Sequence, residues 1–352
     1  MTGMPFYCGK KVFVTGHTGF KGSWLCKILI SAGAEVTGYS LPPPTEPSLF
    51  GIIGLGRHME SVIGDIRDFR MLKEALDAAR PEIVFHLAAQ PLVRQGYKEP
   101  ARTYETNVMG TVYLLECIRL SDYVRSFLNV TTDKVYENKE WEWGYRENEP
   151  LDGTDPYSNS KSCSELVTHS YSASFLSGRQ IPVSTARAGN VIGGGDFADD
   201  RIIPDCIRAV SGGGPAAIRN PHSIRPYQHV LEPLFAYLMI AREQHMDISK
   251  AGWYNVGPDA EGCVKTADLA GMFCEAWGQG ARWMTQGDGG PHESSYLKLD
   301  SSKIKRVFGW QPVWGIREAV RRTCEWTKAW LAGENAESVT ECQIRKYQED
   351  ME

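Results

Sequence analysis

The chain has 352 residues, of which 42% are apolar, and its formal net charge is −5. This length suits two closely packed domains, and the apolar content supports a substantial core, which excludes global disorder. The acidic balance argues against a nucleic-acid partner, because phosphate binding needs clustered lysine and arginine. No apolar run approaches the roughly 18 residues of a membrane-spanning helix, so we expect no membrane partner.

The spacing of cysteines and histidines bears on compartment and metal binding. The nine cysteines and eight histidines form no C-x-x-C or H-x-x-x-H pair. We therefore expect reduced thiols in a cytoplasmic protein and no bound metal. The first apolar stretch runs straight into a glycine motif, unlike the pattern of a signal peptide.

Strand-like and helix-like patterns alternate through the first half of the chain. Such alternation is typical of a doubly wound parallel sheet with helices on both faces. We predict strands over residues 11–15, 35–40, 61–64, 82–88, 126–131 and 182–186, and helices over residues 19–33, 70–79, 101–120 and 155–175. The three prolines at residues 42–44 predict an extended loop, because neither a helix interior nor a central strand accepts them.

After residue 188 the pattern becomes irregular, with glycine clusters at 193–195 and 212–214. We predict a Rossmann-type α/β domain over residues 1–187 and a smaller α+β substrate-binding domain over residues 188–352. Within the second part, residues from about 226 to 258 are expected to pack back on the first domain. Later helices are predicted over residues 266–277 and 315–331, and the polar tail after Gly333 is expected to be loosely ordered.

A glycine-rich segment lies between the first predicted strand and the first predicted helix. Its G-x-x-G-x-x-G spacing lets the backbone turn tightly and approach a pyrophosphate at the helix N-terminus. A glycine pattern is weak by itself, but its place between strand and helix is the one that a dinucleotide site requires. The residues expected to bind the dinucleotide here are Gly16, Thr18, Gly19, Phe20, Lys21 and Gly22.

The end of the second strand bears on which dinucleotide is bound. An acidic residue there usually holds the adenosine ribose, whereas an arginine accommodates a 2′-phosphate. This chain has Ser40 at that position and no basic residue between Glu35 and Gly51, so we favour NAD over NADP. Further contacts to NAD are expected after the third and fourth strands, although an ordinary loop and plain packing are the alternatives; these residues are Asp65, Ile66, Leu87, Ala88 and Ala89.

Tyr157 and Lys161 are four residues apart on a predicted helix, so they share one face. A nearby ammonium would stabilise tyrosinate and lower the pKa of Tyr157. The spacing is common, since Tyr7 and Lys11 also match it, but the later pair follows the fifth strand of a dinucleotide fold. We predict that Tyr157 is the base for hydride transfer and Lys161 its partner, both also contacting the cofactor.

Thr132, Asp133 and Lys134 directly follow the fifth predicted strand. Open α/β sheets bind ligands at this edge. Thr132 can hydrogen-bond a sugar hydroxyl, a buried Asp133 could protonate a leaving hydroxyl, and Lys134 could remove a carbon-bound proton. On the local sequence alone, a solvated turn pair at Asp133 and Lys134 is the favoured alternative.

Several strings together resemble the CDP-glucose 4,6-dehydratases, which belong to the extended short-chain dehydrogenase/reductase family. They are GHTGFKGSWL, HLAAQPLVR, TTDKVY, DPYSNSK, RAGNVIGGGDF and RIIPD, and the resemblance runs from about residue 10 to residue 330. It implies a lyase that uses NAD and CDP-glucose. Tyr157 would deprotonate the 4-hydroxyl as hydride leaves C4, Lys134 would remove the C5 proton as Asp133 protonates the departing 6-hydroxyl, and hydride would return to C6.

The resemblance also implies substrate contacts and an assembly. The expected substrate-binding residues are Gln90, Asn190, Arg201, Arg208, Arg225 and His292. Arginines suit the charge of a diphosphate, with surface charges as the alternative. A homodimer or homotetramer is implied, through the helices at residues 101–120 and 155–175. Three alternatives stay open: a nucleotide-sugar 4-epimerase, a dehydratase acting on another nucleotide hexose, and a non-catalytic Rossmann binding protein.

Overall fold

The computed structural model describes residues 4–287 and 296–352. The strands are β1 (Lys11–Thr15), β2 (Glu35–Ser40), β3 (Glu60–Ile63), β4 (Ile83–His86), β5 (Ser126–Thr132), β6 (Val183–Ala188), β7 (Asn190–Ile192), β8 (Ala216–Ile218), β9 (Ile224–His229), β10 (Trp253–Val256), β11 (Cys263–Lys265) and β12 (Trp283–Thr285). Seven of them form a parallel sheet in the order β10-β6-β5-β4-β1-β2-β3. The order reverses between β1 and β4, which is where such sheets open a ligand crevice.

Helices cover both faces of this sheet. They are α1 (Phe20–Ser31), α2 (Leu49–Ile52), α3 (Phe69–Ala79), α4 (Val93–Lys98), α5 (Pro100–Tyr104), α6 (Gly110–Arg119), α7 (Pro156–Tyr171), α8 (Ile202–Ser211), α9 (Leu231–Met246), α10 (Thr266–Trp277), α11 (Ser302–Phe308), α12 (Ile316–Leu331) and α13 (Ala336–Asp350). The helix predicted over residues 101–120 is interrupted by a π-helical segment, Glu105–Met109. The helix predicted over residues 155–175 ends in another, Ser172–Leu176. None of the helices in the described ranges is long and apolar enough to cross a membrane.

The burial of β1 shows why the chain adopts this arrangement. Val12 and Val14 pack in one core cluster with α1 and α9, whereas Phe13 packs in another with α3 and α6. A parallel strand is buried on both faces, so its sequence is continuously apolar and not alternating. The predicted fold class, a Rossmann-type doubly wound parallel sheet, is confirmed.

The rest of the chain forms smaller sheets and a separate apolar cluster. One sheet has the order β11-β9-β7 and another pairs β12 with β8. Residues of α8, α10 and α12 pack around them. By contrast, β10 pairs with β6 and α9 packs against β5 and β6, so this segment contributes to the first sheet and its helical layer. The division into two domains stays a prediction.

The expectation of a loosely ordered tail is wrong. Residues after Gly333 form helix α13, whose Ile344 and Tyr347 are buried. The Tyr347 hydroxyl donates to Glu232 Oε2 at 2.7 Å, and Lys27 of α1 lies 2.7 Å from both Glu337 and Glu341. Most residues of this helix are polar, which is why its composition suggests a solvated tail. A single face of the helix, which includes Ile344 and Tyr347, is buried against the rest of the protein.

Candidate active site

A cavity of about 1020 Å³ opens at the carboxyl edge of the central sheet. Its wall combines the segments that follow β1, β2, β4, β5 and β6 with parts of α8 and β8. Every residue predicted to contact NAD lines it: Gly16, Thr18, Gly19, Phe20, Lys21, Gly22, Ser40, Asp65, Ile66, Leu87, Ala88, Ala89, Tyr157 and Lys161. Residues distant in sequence thus meet at the predicted edge.

The glycine loop leaves room only for backbone at its two ends. Gly16 has φ 77°, and a Cβ there would lie 2.8 Å from the Ala88 nitrogen. A Cβ at Gly22 would collide with the Gly16 carbonyl oxygen, whereas the nearest atom to one at Gly19 is 3.4 Å away. Gly19 also precedes α1 without a side-chain cap, which leaves N–H groups of the helix N-terminus for a ligand. These features fit a pyrophosphate.

Neutral hydroxyls occupy the place where an acidic ribose contact is usual. Ser40 Oγ and Thr18 Oγ1 are 2.9 Å apart, and Thr18 Oγ1 donates to the Leu41 carbonyl at 2.9 Å. The Asp65 carboxylate instead accepts from Arg67, whose guanidinium holds the pKa of Asp65 below its usual value. A ribose at this end of the cavity would therefore meet hydroxyls first.

Helix α7 fixes the tyrosine and lysine pair. Asp155 caps the helix by accepting from the backbone N–H groups of Tyr157 and Ser158, which holds Tyr157 in the first turn. Lys161 Nζ donates to the Val130 carbonyl at 3.1 Å, and burial lowers the pKa of Lys161 to about 8.

The pKa of Tyr157 moves in the direction opposite to our expectation. Burial raises it to about 12, although a hydrogen bond with Thr132 opposes the rise. The expected lowering by Lys161 is thus wrong for this structure, since the desolvation of Tyr157 dominates and the Lys161 ammonium is directed to a carbonyl.

Asp133 and Lys134 lie in a 3-10 turn that begins directly after β5. Lys134 Nζ lies 3.3 Å from Asp133 Oδ1, which also accepts from the Thr132 hydroxyl at 2.9 Å. Lys134 Nζ also donates to Asn190 Oδ1 at 3.5 Å. Asp133 is fully buried, so the alternative of a solvated turn pair is wrong.

The second carboxylate oxygen of Asp133 is buried. Among the described residues, Asp133 Oδ2 has no hydrogen-bond partner. A Cβ at Gly189 would come within 3.1 Å of it, so only glycine leaves this oxygen its space. The turn thus places a carboxyl group and an amine 3.3 Å apart, and these are two kinds of group that serve as general acid and base.

The predicted substrate residues divide into two groups. Asn190, Arg201 and Arg225 line the cavity. Neither Gln90 nor Arg208 is among the described residues that line it. Gln90 braces the loop after β4, since it donates to Thr103 and accepts from the Leu92 nitrogen. Arg208 lies on α8 and pairs with Asp199 and Asp205. His292 lies outside the described residues.

Four arginines of the cavity wall were not predicted: Arg67, Arg94, Arg102 and Arg219. Arg94 and Arg219 both face Asp200, at 3.8 and 2.7 Å respectively. Arg94 ends the string HLAAQPLVR, so its position after the fourth strand could have indicated it. Arg219 follows a strand too short to show a periodic pattern. In the described part of the chain, no cluster of three or more His, Cys, Asp or Glu side chains could hold a metal ion.

Comparison with known proteins identifies the family. A family model described as GDP-mannose 4,6 dehydratase matches residues 13–323. The chain belongs to the GDP-mannose 4,6 dehydratase family. A CDP-glucose 4,6-dehydratase of Salmonella typhimurium is 49% identical over 349 residues, which cover 97% of this chain and 97% of that protein. The predicted resemblance is confirmed.

The chain also has more distant relatives. One is a dTDP-glucose 4,6-dehydratase of Xanthomonas campestris, which is 26% identical over 91% of this chain and 94% of that protein. Among solved structures, a UDP-glucose 4-epimerase of Thermotoga maritima with UDP-glucose matches with a TM-score of 0.79 at 23% identity, covering 91% of this chain and 99% of that chain. A dTDP-glucose 4,6-dehydratase of Bacillus anthracis in complex with NAD matches with a TM-score of 0.72 at 20% identity, covering 90% of this chain and 95% of that chain. These two structures support the fold alone.

Proposed function

We propose that this protein is an NAD-dependent CDP-glucose 4,6-dehydratase, a lyase that converts CDP-glucose to CDP-4-keto-6-deoxyglucose and water. The observation that carries the proposal is the buried Asp133 carboxyl group 3.3 Å from the Lys134 ammonium, in a turn beside Tyr157. A 4-epimerase would need Tyr157 but not this acid and base. The 49% identity to a protein named for this activity supports the choice of CDP-glucose.

The glycine loop and the strand ends would hold NAD. Gly16 to Gly22 would face the pyrophosphate, Thr18 and Ser40 the adenosine ribose, and Ala88 the more central part of the cofactor. When bound, NAD would accept the hydride from C4 of the glucose and return it at C6.

Three side chains would handle the protons. Tyr157 takes the proton of the 4-hydroxyl in its tyrosinate form, which the hydrogen bond with Thr132 and the charge of Arg201 favour against the effect of burial. The resulting 4-keto group acidifies C5, whose proton passes to the Lys134 amine while Asp133 protonates the 6-hydroxyl, which leaves as water. Once C6 has been reduced, C5 regains a proton from Lys134. The proton that Tyr157 gained balances the one that Asp133 gave, so the net reaction is loss of water.

Basic and amide side chains on the other wall would hold the diphosphate. Arg201 and Arg225 supply positive charge, and Asn190 contacts the same Lys134 that would act at C5. A carboxamide in this position can bind the substrate and orient the base together. Gln90, Arg208 and His292 stay predictions, as stated from the sequence.

We also infer that two copies assemble through the helical regions at residues 101–120 and 155–175. Large apolar side chains are exposed along these regions, at 40% for Met109, 55% for Leu166 and 46% for Phe175. Exposed apolar side chains that lie together mark protein interfaces. A reducing compartment such as the cytoplasm suits the nine unpaired cysteines.

The experiment is incubation of the protein and NAD with CDP-glucose in D₂O, followed by nuclear magnetic resonance and mass spectrometry of the sugar. We expect a 4-keto-6-deoxy product that carries deuterium at C5. Formation of CDP-galactose would indicate an epimerase, and an unchanged sugar would indicate a binding protein. Parallel reactions with UDP-glucose, dTDP-glucose and GDP-mannose test the base, and preference for any of these would overturn the assignment to CDP-glucose.

A further inference from the structure

A buried ion pair lies behind the Asp133–Val135 turn. Glu165 is on α7, and Arg187 is on β6. Arg187 Nε donates to both carboxylate oxygens of Glu165, at 2.8 and 2.9 Å, and each side chain is only 3% exposed. Burial at this depth costs free energy, so a buried ion pair is weak support for stability as such. Its contacts indicate another role.

This pair is tied to both ends of the turn that carries Asp133 and Lys134. On the near side, the Thr131 hydroxyl donates to Glu165 Oε1 at 2.6 Å. On the far side, Arg187 Nη1 donates to the Tyr136 hydroxyl at 2.7 Å. The segment between these two anchors contains the proposed acid and base, so its position depends on the ion pair.

The far anchor is itself fixed in two directions. Tyr136 is buried, and its hydroxyl donates to Asn255 Oδ1 of β10 at 2.6 Å. The Arg187 guanidinium lies 4.9 Å from the centre of the Tyr136 ring. Asn255 Nδ2 in turn donates to the carbonyls of Tyr145 and Asp300, at 2.7 and 3.0 Å. A hydroxyl with partners on two strands leaves the end of the turn little freedom.

The same helix carries the residues for hydride transfer. Glu165 follows Lys161 by one turn of α7, while Tyr157 is held at the start of that helix by the Asp155 cap. The Asp155 cap does not involve Tyr136, so loss of the contacts to Tyr136 should displace the turn more than it displaces Tyr157. A displacement of about 1 Å can cost on the order of 10²-fold in rate.

We propose that Glu165, Arg187 and Tyr136 form a positioning network that places Asp133 and Lys134 against the sugar held at Tyr157, so that the elimination step depends on it more strongly than hydride transfer does. The inference rests on the proposed function. A purely structural role would slow both steps alike, which makes the ratio of the two rates the informative quantity.

The test compares two variants that each lose one buried hydroxyl. Tyr136→Phe keeps the ring against Arg187 but removes the hydrogen bonds to Arg187 and Asn255. Tyr254→Phe is the matched control, because its hydroxyl donates only to the Lys250 carbonyl, at 2.5 Å, among the described residues. Single-turnover reactions with CDP-glucose in D₂O give the rate of cofactor reduction from absorbance and the rate of C5 exchange from mass spectrometry.

For Tyr136→Phe we expect C5 exchange to fall by at least about 10-fold and cofactor reduction by less than about 3-fold. Tyr254→Phe should keep the wild-type ratio. Thr131→Val removes the near anchor and should shift the ratio in the same direction, which keeps the test available if Tyr136→Phe does not fold. Equal slowing of both steps in the anchor variants would overturn the inference, whereas a wild type without C5 exchange would overturn the proposed function itself.

Discussion

The Lys134 ammonium lies 3.3 Å from one carboxylate oxygen of Asp133, and the second oxygen is buried with no partner among the described residues. Under the proposed function, elimination across C5 and C6 needs a base and an acid at once, and Lys134 and Asp133 are the two groups proposed to supply them. A Cβ at position 189 would come within 3.1 Å of that second oxygen, so glycine at this position leaves room beside it.

Replacement of Lys134 by methionine removes the base and keeps the length of the side chain. We expect C5 exchange and product formation in Lys134→Met to fall on the order of 10²- to 10⁴-fold, while hydride transfer from C4 continues. Mass spectrometry of the sugar after reaction in D₂O measures the exchange. Lys139→Met, at an exposed lysine on the same loop, is the control. Deuterium at C5 at the wild-type rate would show that Lys134 is not the base.

Replacement of Tyr157 by phenylalanine removes the acceptor of the 4-hydroxyl proton. The first oxidation should slow on the order of 10²- to 10⁴-fold in Tyr157→Phe, and stopped-flow absorbance of the reduced nicotinamide measures it. Tyr104→Phe is a suitable control, since that hydroxyl contacts Asn159 and not the cavity. Rapid cofactor reduction in Tyr157→Phe would contradict the role given to this residue.

Substitution of Ser40 by aspartate tests how the adenosine ribose is held. A carboxylate can accept from both ribose hydroxyls and repels a 2′-phosphate, whereas the present hydroxyls do neither strongly. We expect Ser40→Asp to raise the preference for NAD over NADP by about 10-fold or more, equivalent to about 1.4 kcal/mol. Calorimetric titration with each dinucleotide measures it, and CDP binding should be unchanged. An unaltered preference would place the ribose elsewhere.

The buried Glu232 should make stability depend on pH. It accepts from the Trp314 nitrogen and the Tyr347 hydroxyl, yet burial raises its pKa from 4.5 to about 7. An unfolded glutamate ionises near pH 4.5, so the stabilisation from this group is complete below that pH and is lost as the pH rises through 7. The loss is about 3 kcal/mol at most.

Urea unfolding of the wild type and of Glu232→Gln at pH 5.5 and pH 8 separates this group from the other titrating residues. Between pH 5.5 and pH 8 the wild type should lose more unfolding free energy than Glu232→Gln, so the variant becomes more stable relative to the wild type at pH 8. A difference that stays constant across this range would mean that Glu232 is ionised throughout.

Local pattern predicted most of the first sheet, because each of its strands and helices has its own apolar signal. Helix α9 was missed, since it is buried nearly all round and shows no amphipathic stripe. The burial of Asp133 could not be predicted either, because Gly189, which the structure brings next to Asp133 Oδ2, lies far from it in the sequence. Likewise, nothing near Glu165 in the sequence indicates its pairing with Arg187.

The seventh strand of the sheet has a consequence for how the chain is made. β6 lies at the sheet edge until β10 pairs with it, and β10 is formed by residues 253–256. At roughly 5–20 residues per second, the ribosome needs several seconds to deliver them. During that time the nascent chain presents a strand that is buried in the folded protein and has unpaired backbone groups, which is a template for joining another chain. Fragments that end shortly after β6 should therefore aggregate, and slow translation between β7 and β10 should reduce the yield of native protein.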